Sequence, residues 1–182
     1  MPTFWLSTII LVVAALGFVL GRQRALASAG GDARQLHSLP VYYGSNTLMK
    51  VIVPAFGVMF LWLLVQPLVF ENRVSKLIPD SAISQDATIG LVMAEVRRTA
   101  EGLDNAVDLG VIDDDTASNE GADLADMTQR LKDAGQVVTN QITRPVLRAA
   151  QAYRSMSATS HTLMTVAVLL VALAGAAWGV KE

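Results

Sequence analysis

Three stretches of this chain carry no charged side chain, and each is about as long as the hydrocarbon core of a bilayer is thick. Residues 2–21 have the centre FWLSTIILVVAALGFVL, residues 51–70 read VIVPAFGVMFLWLLVQPLVF between Lys50 and Glu71, and residues 162–180 read TLMTVAVLLVALAGAAWGV before Lys181. At 1.5 Å per residue, a helix of about 20 residues reaches ~30 Å. In lipid a helix is the natural way for each run to pair its own backbone groups. An all-α membrane protein is expected, with transmembrane helices over residues 1–21, 51–70 and 162–180. Composition agrees: 52% of residues are hydrophobic and 16% charged, with a mean hydropathy of +0.42, whereas a soluble domain carries roughly 25% charged residues.

The first run is followed by ALASA, which has the small residues of a signal-peptide cleavage site. No lysine or arginine precedes the run, however, and Arg22 and Arg24 stand between it and that site. The layout is that of an uncleaved anchor. Pro54 falls near the start of the second run, where a missing N–H costs least, and Pro67 is placed to kink or end the helix at its far interface. Trp5, Trp62 and Trp178 are candidate interfacial anchors, with Trp62 deep for that role.

Arg22, Arg24 and Arg34 follow the first span, and nothing basic but the amino terminus precedes it. The positive-inside rule therefore puts residues 22–50 in the cytoplasm as a loop and residues 71–161 outside. Arg73, Lys76, Arg144, Arg148 and Arg154 flank the later spans and pull the other way, but the first helix usually dominates and long loops translocate largely regardless of charge.

Residues 71–161 hold 14 acidic and 9 basic side chains. Ile89, Val92, Val96, Ala100, Leu103 and Val107 recur at spacings of three and four, which predicts an amphipathic helix stopped near Gly110. Residues 113–123, DDDTASNEGAD, read as a polar turn. A second stripe follows in Leu124, Met127, Leu131, Ala134 and Val138. A third, Ile142, Val146, Ala149, Tyr153 and Met156, runs into the last span with a break expected at Pro145. Such stripes bury one another as an extracytoplasmic helical hairpin between the second and third spans.

Counted from Asp113, an EF-hand would need glycine at the sixth position and glutamate at the twelfth; Ser118 and Leu124 stand there. The acids of this turn are better explained as favouring the positive end of the next helix, with Thr116 or Ser118 as its cap. His37 and His161 fall on opposite sides of the membrane and cannot pair. Gly30-Gly31 lacks the G-x-x-x-x-G-K context of a nucleotide loop; it reads as a turn, with Asp32 as N-cap for ARQLHSL. Cysteine is absent, so disulfides, thiolate metal sites and cysteine nucleophiles do not arise. No ionisable residue inside a span marks an ion path, and no basic patch points to nucleic acid. The chain is expected to be no enzyme and to need no cofactor or metal.

The third span has one feature of its own. Gly175 and Gly179 form G-x-x-x-G, and Ala172 and Ala176 extend a small-residue face on which another helix can approach closely.

The segment between the first two spans, GRQRALASAGGDARQLHSLPVYYG, carries a more specific pattern. Gly21-Arg22 with Arg24 and Ala25, the AGGD that holds Gly30, Gly31 and Asp32, LHSLP with His37 and Pro40, and then Tyr42, Tyr43 and Gly44 together resemble the N-terminal region of PstC-type permeases. These are membrane subunits of the bacterial high-affinity phosphate ABC transporter. The resemblance covers the first two spans and their loop best, and the acidic helical segment by order and size. It implies a multi-pass protein of the bacterial inner membrane, in contact with membrane lipid. The partners it implies are a second permease subunit, an ABC ATPase and an extracytoplasmic phosphate-binding protein. In that family this region precedes several further spans, so the chain is expected to be an N-terminal, partial segment working by membrane assembly and not by chemistry. Two other readings are a small membrane-anchored sensor, suggested by a helical domain between two spans, and a stand-alone assembly protein that oligomerises through the Gly175/Gly179 face.

Overall fold

The computed structural model describes residues 2–32, 34, 36–79, 88–136 and 142–181. All regular elements among them are helical: α1 (Pro2–Ser28), α2 (Pro40–Val74), a 3-10 turn (Ser75–Leu77), α3 (Ile89–Asp108), α4 (Asp114–Ser118), α5 (Leu124–Asp133) and α6 (Arg144–Lys181). Three of these helices, α1, α2 with the 3-10 turn, and α6, are long and apolar enough to cross a membrane.

Each long helix exceeds the apolar run that announced it. α2 has 35 residues and α6 has 38, or ~50–57 Å at 1.5 Å per residue against a hydrocarbon core of about 30 Å. The chain divides accordingly into two compact units, one of residues 1–65 and 160–182 and one of residues 66–159. α2 and α6 each contribute to both.

These extensions revise four expectations about prolines and loops. The stretch between the first two spans is helical up to Ser28 and again from Pro40, so the irregular part of residues 22–50 is short. Pro40 takes the first position of α2, where a proline's missing N–H costs nothing. Pro54 is consequently interior, not near a start, and α2 also continues past Pro67 to Val74. Pro145 makes no break; it lies in the first turn of α6, for the same reason that Pro40 is tolerated.

In the first unit α1, α2 and α6 form a bundle. Its core is Leu6, Ile10, Ala14, Val51, Ala55, Met164, Val168 and Ala172, all at most 3% exposed. The contacts set the directions. Ser7 of early α1 reaches Met59 of α2, while a side chain on Gly21 at the far end of α1 would meet Thr47 near the start of α2. Trp62 and Ser160 meet at one end of the α2–α6 pair, and Gly179 meets Thr47 at the other. α2 is thus antiparallel to α1 and to α6. Polar side chains in the spans are satisfied locally, as lipid requires: Ser7 Oγ donates to the Thr3 carbonyl at 2.8 Å and Thr8 Oγ1 to that of Phe4 at 3.0 Å. Trp62, too deep for an interfacial anchor, donates its indole N–H to Ser160 Oγ at 3.0 Å.

The second unit buries the predicted stripes against one another. Its core takes Val92, Val96, Ala100, Leu103 and Ala106 from α3, Met127 and Leu131 from α5, and Val146, Leu147, Ala149 and Ala150 from α6. The end of α2 adds Val74. Ile89, the first residue of α3, is 43% exposed and drops out of its stripe, while Ala106 enters. Leu124, Ala134, Tyr153 and Met156 pack from the margin; Val138 lies outside the described residues. The unit therefore draws on more than a hairpin, since α4 and parts of α2 and α6 join α3 and α5.

Polar groups on α6 hold the 113–122 segment. Gln151 Nε2 donates to the carbonyls of Ala117 and Asn119 at 3.0 and 3.1 Å, and Arg144 to those of Glu120 and Ala122 at 2.8 and 2.7 Å. Arg154, with a side chain 15% exposed, bridges Asp104 of α3 and Asp114 of α4 at 2.5 and 2.6 Å. The polar run is not all turn, because α4 forms within it. Its cap is neither Thr116 nor Ser118: Asp113 Oδ1 accepts from the Thr116 N–H at 3.2 Å, and Asp123 Oδ1 accepts from the Ala125 N–H at 2.9 Å to cap α5. Aspartate wins because its carboxylate accepts the orphan N–H groups and also meets the positive helix end.

Hydrogen bonding by Thr116 lowers the Asp113 pKa below its ordinary value of 3.8. A carboxylate whose pKa is depressed on folding stabilises the fold above the unfolded value, and the contribution is lost as pH falls through the lower, folded value. The Thr116 amide resonance is therefore expected to titrate with a midpoint below 3.8. A midpoint at or above that value in an NMR pH series would show that the cap is not formed.

Candidate helix-packing site

Of the four small residues named from the third span, Gly175 and Gly179 face α2, and Ala172 and Ala176 turn towards the bundle core. Ala172 is fully buried in the bundle core, and Ala176 packs at its margin. Gly175 and Gly179 are buried as well, and their missing side chains set the helix separation. A Cβ on Gly175 would overlap the Lys50 carbonyl oxygen and lie 3.2 Å from Val51 Cα; one on Gly179 would lie 2.8 Å from Thr47 Cα. These are backbone atoms, which cannot swing aside.

The Lys50 carbonyl is a notable neighbour for a glycine. In an α-helix it would accept from the N–H of residue 54, and Pro54 has none. Pro54 cannot supply that bond, and the oxygen lies so close to Gly175 that only a residue without a side chain fits beside it. Proline in membrane helices is tolerated where neighbouring groups attend to the carbonyl it leaves behind.

Thr47 is the centre of the arrangement. It is 0% exposed, and its Oγ1 donates to the Gly179 carbonyl at 2.9 Å and, within α2, to that of Tyr43 at 3.1 Å. Interhelical bonds of this kind contribute about 0.6 to 1.7 kcal/mol in membrane proteins. On its α1 side Thr47 meets Gly17 and Gly21: a Cβ on Gly17 would be 3.2 Å from Thr47 Cγ2, and one on Gly21 2.5 Å from Thr47 Oγ1. A Cβ on Gly44 would lie 2.8 Å from the carbonyl oxygen of Phe18. Gly17 and Gly21 form a second G-x-x-x-G, in α1. Its spacing is identical to that of the motif in α6, so the same sequence signal was there to find it. Nothing local marks Thr47.

The residues named from the first loop do not converge. Arg22, His37 and Tyr42 are exposed. Gly30 and Gly31 take φ of +61° and +88°, the left-handed conformation that ends α1, with the Gly31 N–H donating to the Leu26 carbonyl at 2.9 Å. Asp32 Oδ1 accepts from the Arg34 N–H at 2.9 Å; the helix expected over ARQLHSL includes residues 33 and 35, outside the described residues. Pro40 opens α2. Tyr43 is half-buried, and its carbonyl belongs to the Thr47 layer. Arg24 lines a groove beside α6. Lys50 Nζ stands 5.6 Å from the centre of the Trp178 ring, within cation–π range.

Three apolar helices knitted by glycine contacts, with a helical unit between the second and third in sequence, define a multi-span membrane protein. A family model described as phosphate ATP-binding cassette transporter matches residues 8–177, which includes most of each long helix and the whole helical unit. The chain belongs to that phosphate ABC transporter family. No curated protein and no solved structure matches it.

Proposed function

We propose that the chain is the N-terminal, partial segment of the permease subunit of an ABC phosphate importer, acting by membrane assembly and not by chemistry. The observation that carries this reading is the family match across residues 8–177, which is not confined to one unit or one span. The bundle supports it, because its helix directions bring Arg22, Arg24, Lys50 and Lys181 to one end. That end suits the cytoplasmic side of a bacterial inner membrane. The unit of residues 66–159, rich in acids, then faces outward. The expected partners are a second permease subunit, an ABC ATPase on the cytoplasmic side and a phosphate-binding protein outside.

Affinity purification of the chain from native membranes in mild detergent is expected to bring the ATPase and the second permease subunit with it. Elution alone, from cells whose phosphate uptake survives deletion of the gene, would overturn the reading. Orientation is tested separately, and cleanly because the chain has no cysteine. In intact spheroplasts a membrane-impermeant maleimide should label Asp115→Cys and spare Ser38→Cys; the reverse pattern would invert the topology.

A further inference from the structure

α1 and α6 run in the same direction, and between the C-terminal part of α1 and the last turns of α6 lies a groove of about 280 Å³ lined by Leu20, Arg24, Ala176, Ala177, Val180 and Lys181. Its make-up is divided. The short side chains of Ala176 and Ala177 form a depression beside Leu20 and Val180, with no polar side chain among these four. Arg24 and Lys181, the remaining two, are both exposed cations. Both helices are membrane-length and apolar, so the apolar walls face acyl chains while the cations stand where a helix reaches the interface.

Each half of the groove restricts the occupant. A soluble anion gains from the two cations but nothing from the alanine and leucine walls. A neutral acyl chain gains from the walls but leaves the cations unmatched. An anionic phospholipid satisfies both, since Arg and Lys long enough to reach the headgroup level pair with its phosphate while its chain lies against the helices. We propose that this groove holds an anionic phospholipid, with its phosphate between Arg24 and Lys181 and one acyl chain along Ala176 and Ala177. The inference rests on the reading of α1 and α6 as membrane spans and is independent of the transport assignment.

Basic residues near a membrane surface each strengthen binding to anionic lipid about 5-fold, so two give roughly 30-fold. The test is native mass spectrometry of the full chain in detergent, titrated with phosphatidylglycerol or phosphatidylethanolamine of equal chain length. The chain is expected to prefer phosphatidylglycerol by roughly 30-fold, and Arg24→Gln with Lys181→Gln is expected to remove the preference without changing the melting temperature. Ala177→Trp, which fills the groove and keeps both charges, should also abolish retention. Equal retention of the two lipids, or a preference that survives both the charge and the filling variants, would overturn the proposal. So would displacement of the lipid by inorganic phosphate at equal concentration, or a photo-crosslinker at residue 177 that captures protein in native membranes in place of lipid. A chain that fails to partition into membranes at all would instead defeat the membrane reading, a separately visible result.

Discussion

Gly175→Leu is expected to destabilise the bundle by about 3 kcal/mol or more, at or beyond the upper end of the usual 1–3 kcal/mol for overpacking. The reason is the identity of the neighbour. The new Cβ alone would overlap the Lys50 carbonyl oxygen, and that oxygen belongs to a helix whose core residues Val51 and Ala55 are fully buried. Relief requires α2 and α6 to separate, which would also stretch the Thr47 bond to the Gly179 carbonyl and the Lys50–Trp178 contact. Gly57→Leu supplies the control, because nothing lies within 4 Å of a Cβ there. It adds the same side chain to a glycine of α2 without steric cost. Unfolding of the two variants in mixed detergent micelles, followed by tryptophan emission, compares them directly. Equal stability would mean that α2 and α6 do not pack through Gly175. The same contact bears on the assembly reading, since the face suited to a second copy is already covered by α2 of the same chain.

Leu103→Ala should be the most damaging single truncation in the 66–159 unit, at about 2–5 kcal/mol, the range for emptying a fully buried leucine site. Leu103 is 0% exposed and belongs to the core cluster that α3, α5 and α6 share. The rival candidate is Arg154→Ala, which removes two ion pairs at once. Their carboxylate ends are 55% and 73% exposed, and exposed pairs contribute about 0–1 kcal/mol each. Burial should therefore outweigh charge. Hydrogen exchange of α3 amides in nanodiscs, converted to opening free energies, ranks the two. If Arg154→Ala proved the larger loss, the polar clamp from α6 and not the apolar stripe would hold this unit together.

The three long helices and the stripes of the acidic segment were legible in the sequence because both depend on side-chain chemistry repeated at fixed spacing. An uncharged run of 20 residues can be read without knowing its neighbours. So can Val92, Val96, Ala100 and Leu103, whose period places them on one face whatever covers it. The caps were harder: Thr116, Ser118, Asp113 and Asp123 are all acceptable N-caps, and the choice turned on where α4 and α5 began. α2 outruns its apolar stretch for a related reason. Residues 41–50 are too polar to be called membrane helix, yet they continue α2 because a helix need not end where the bilayer does, whereas the stripe of residues 142–156 already pointed into the last span.

The packing site divides along the same line. Gly175 and Gly179 announced themselves as a close-approach face through their spacing alone, and Gly17 and Gly21 carried the same signal unread. By itself the sequence determined that this chain has three apolar helices, a basic end, an acidic helical unit and at least one face small enough for another helix. Only the tertiary structure decided that α2 is the helix that comes, that Thr47 stands where the three meet, and that Gly175 lies against the Lys50 carbonyl. Those facts join residues more than a hundred positions apart, and no local period can encode a distance between two helices.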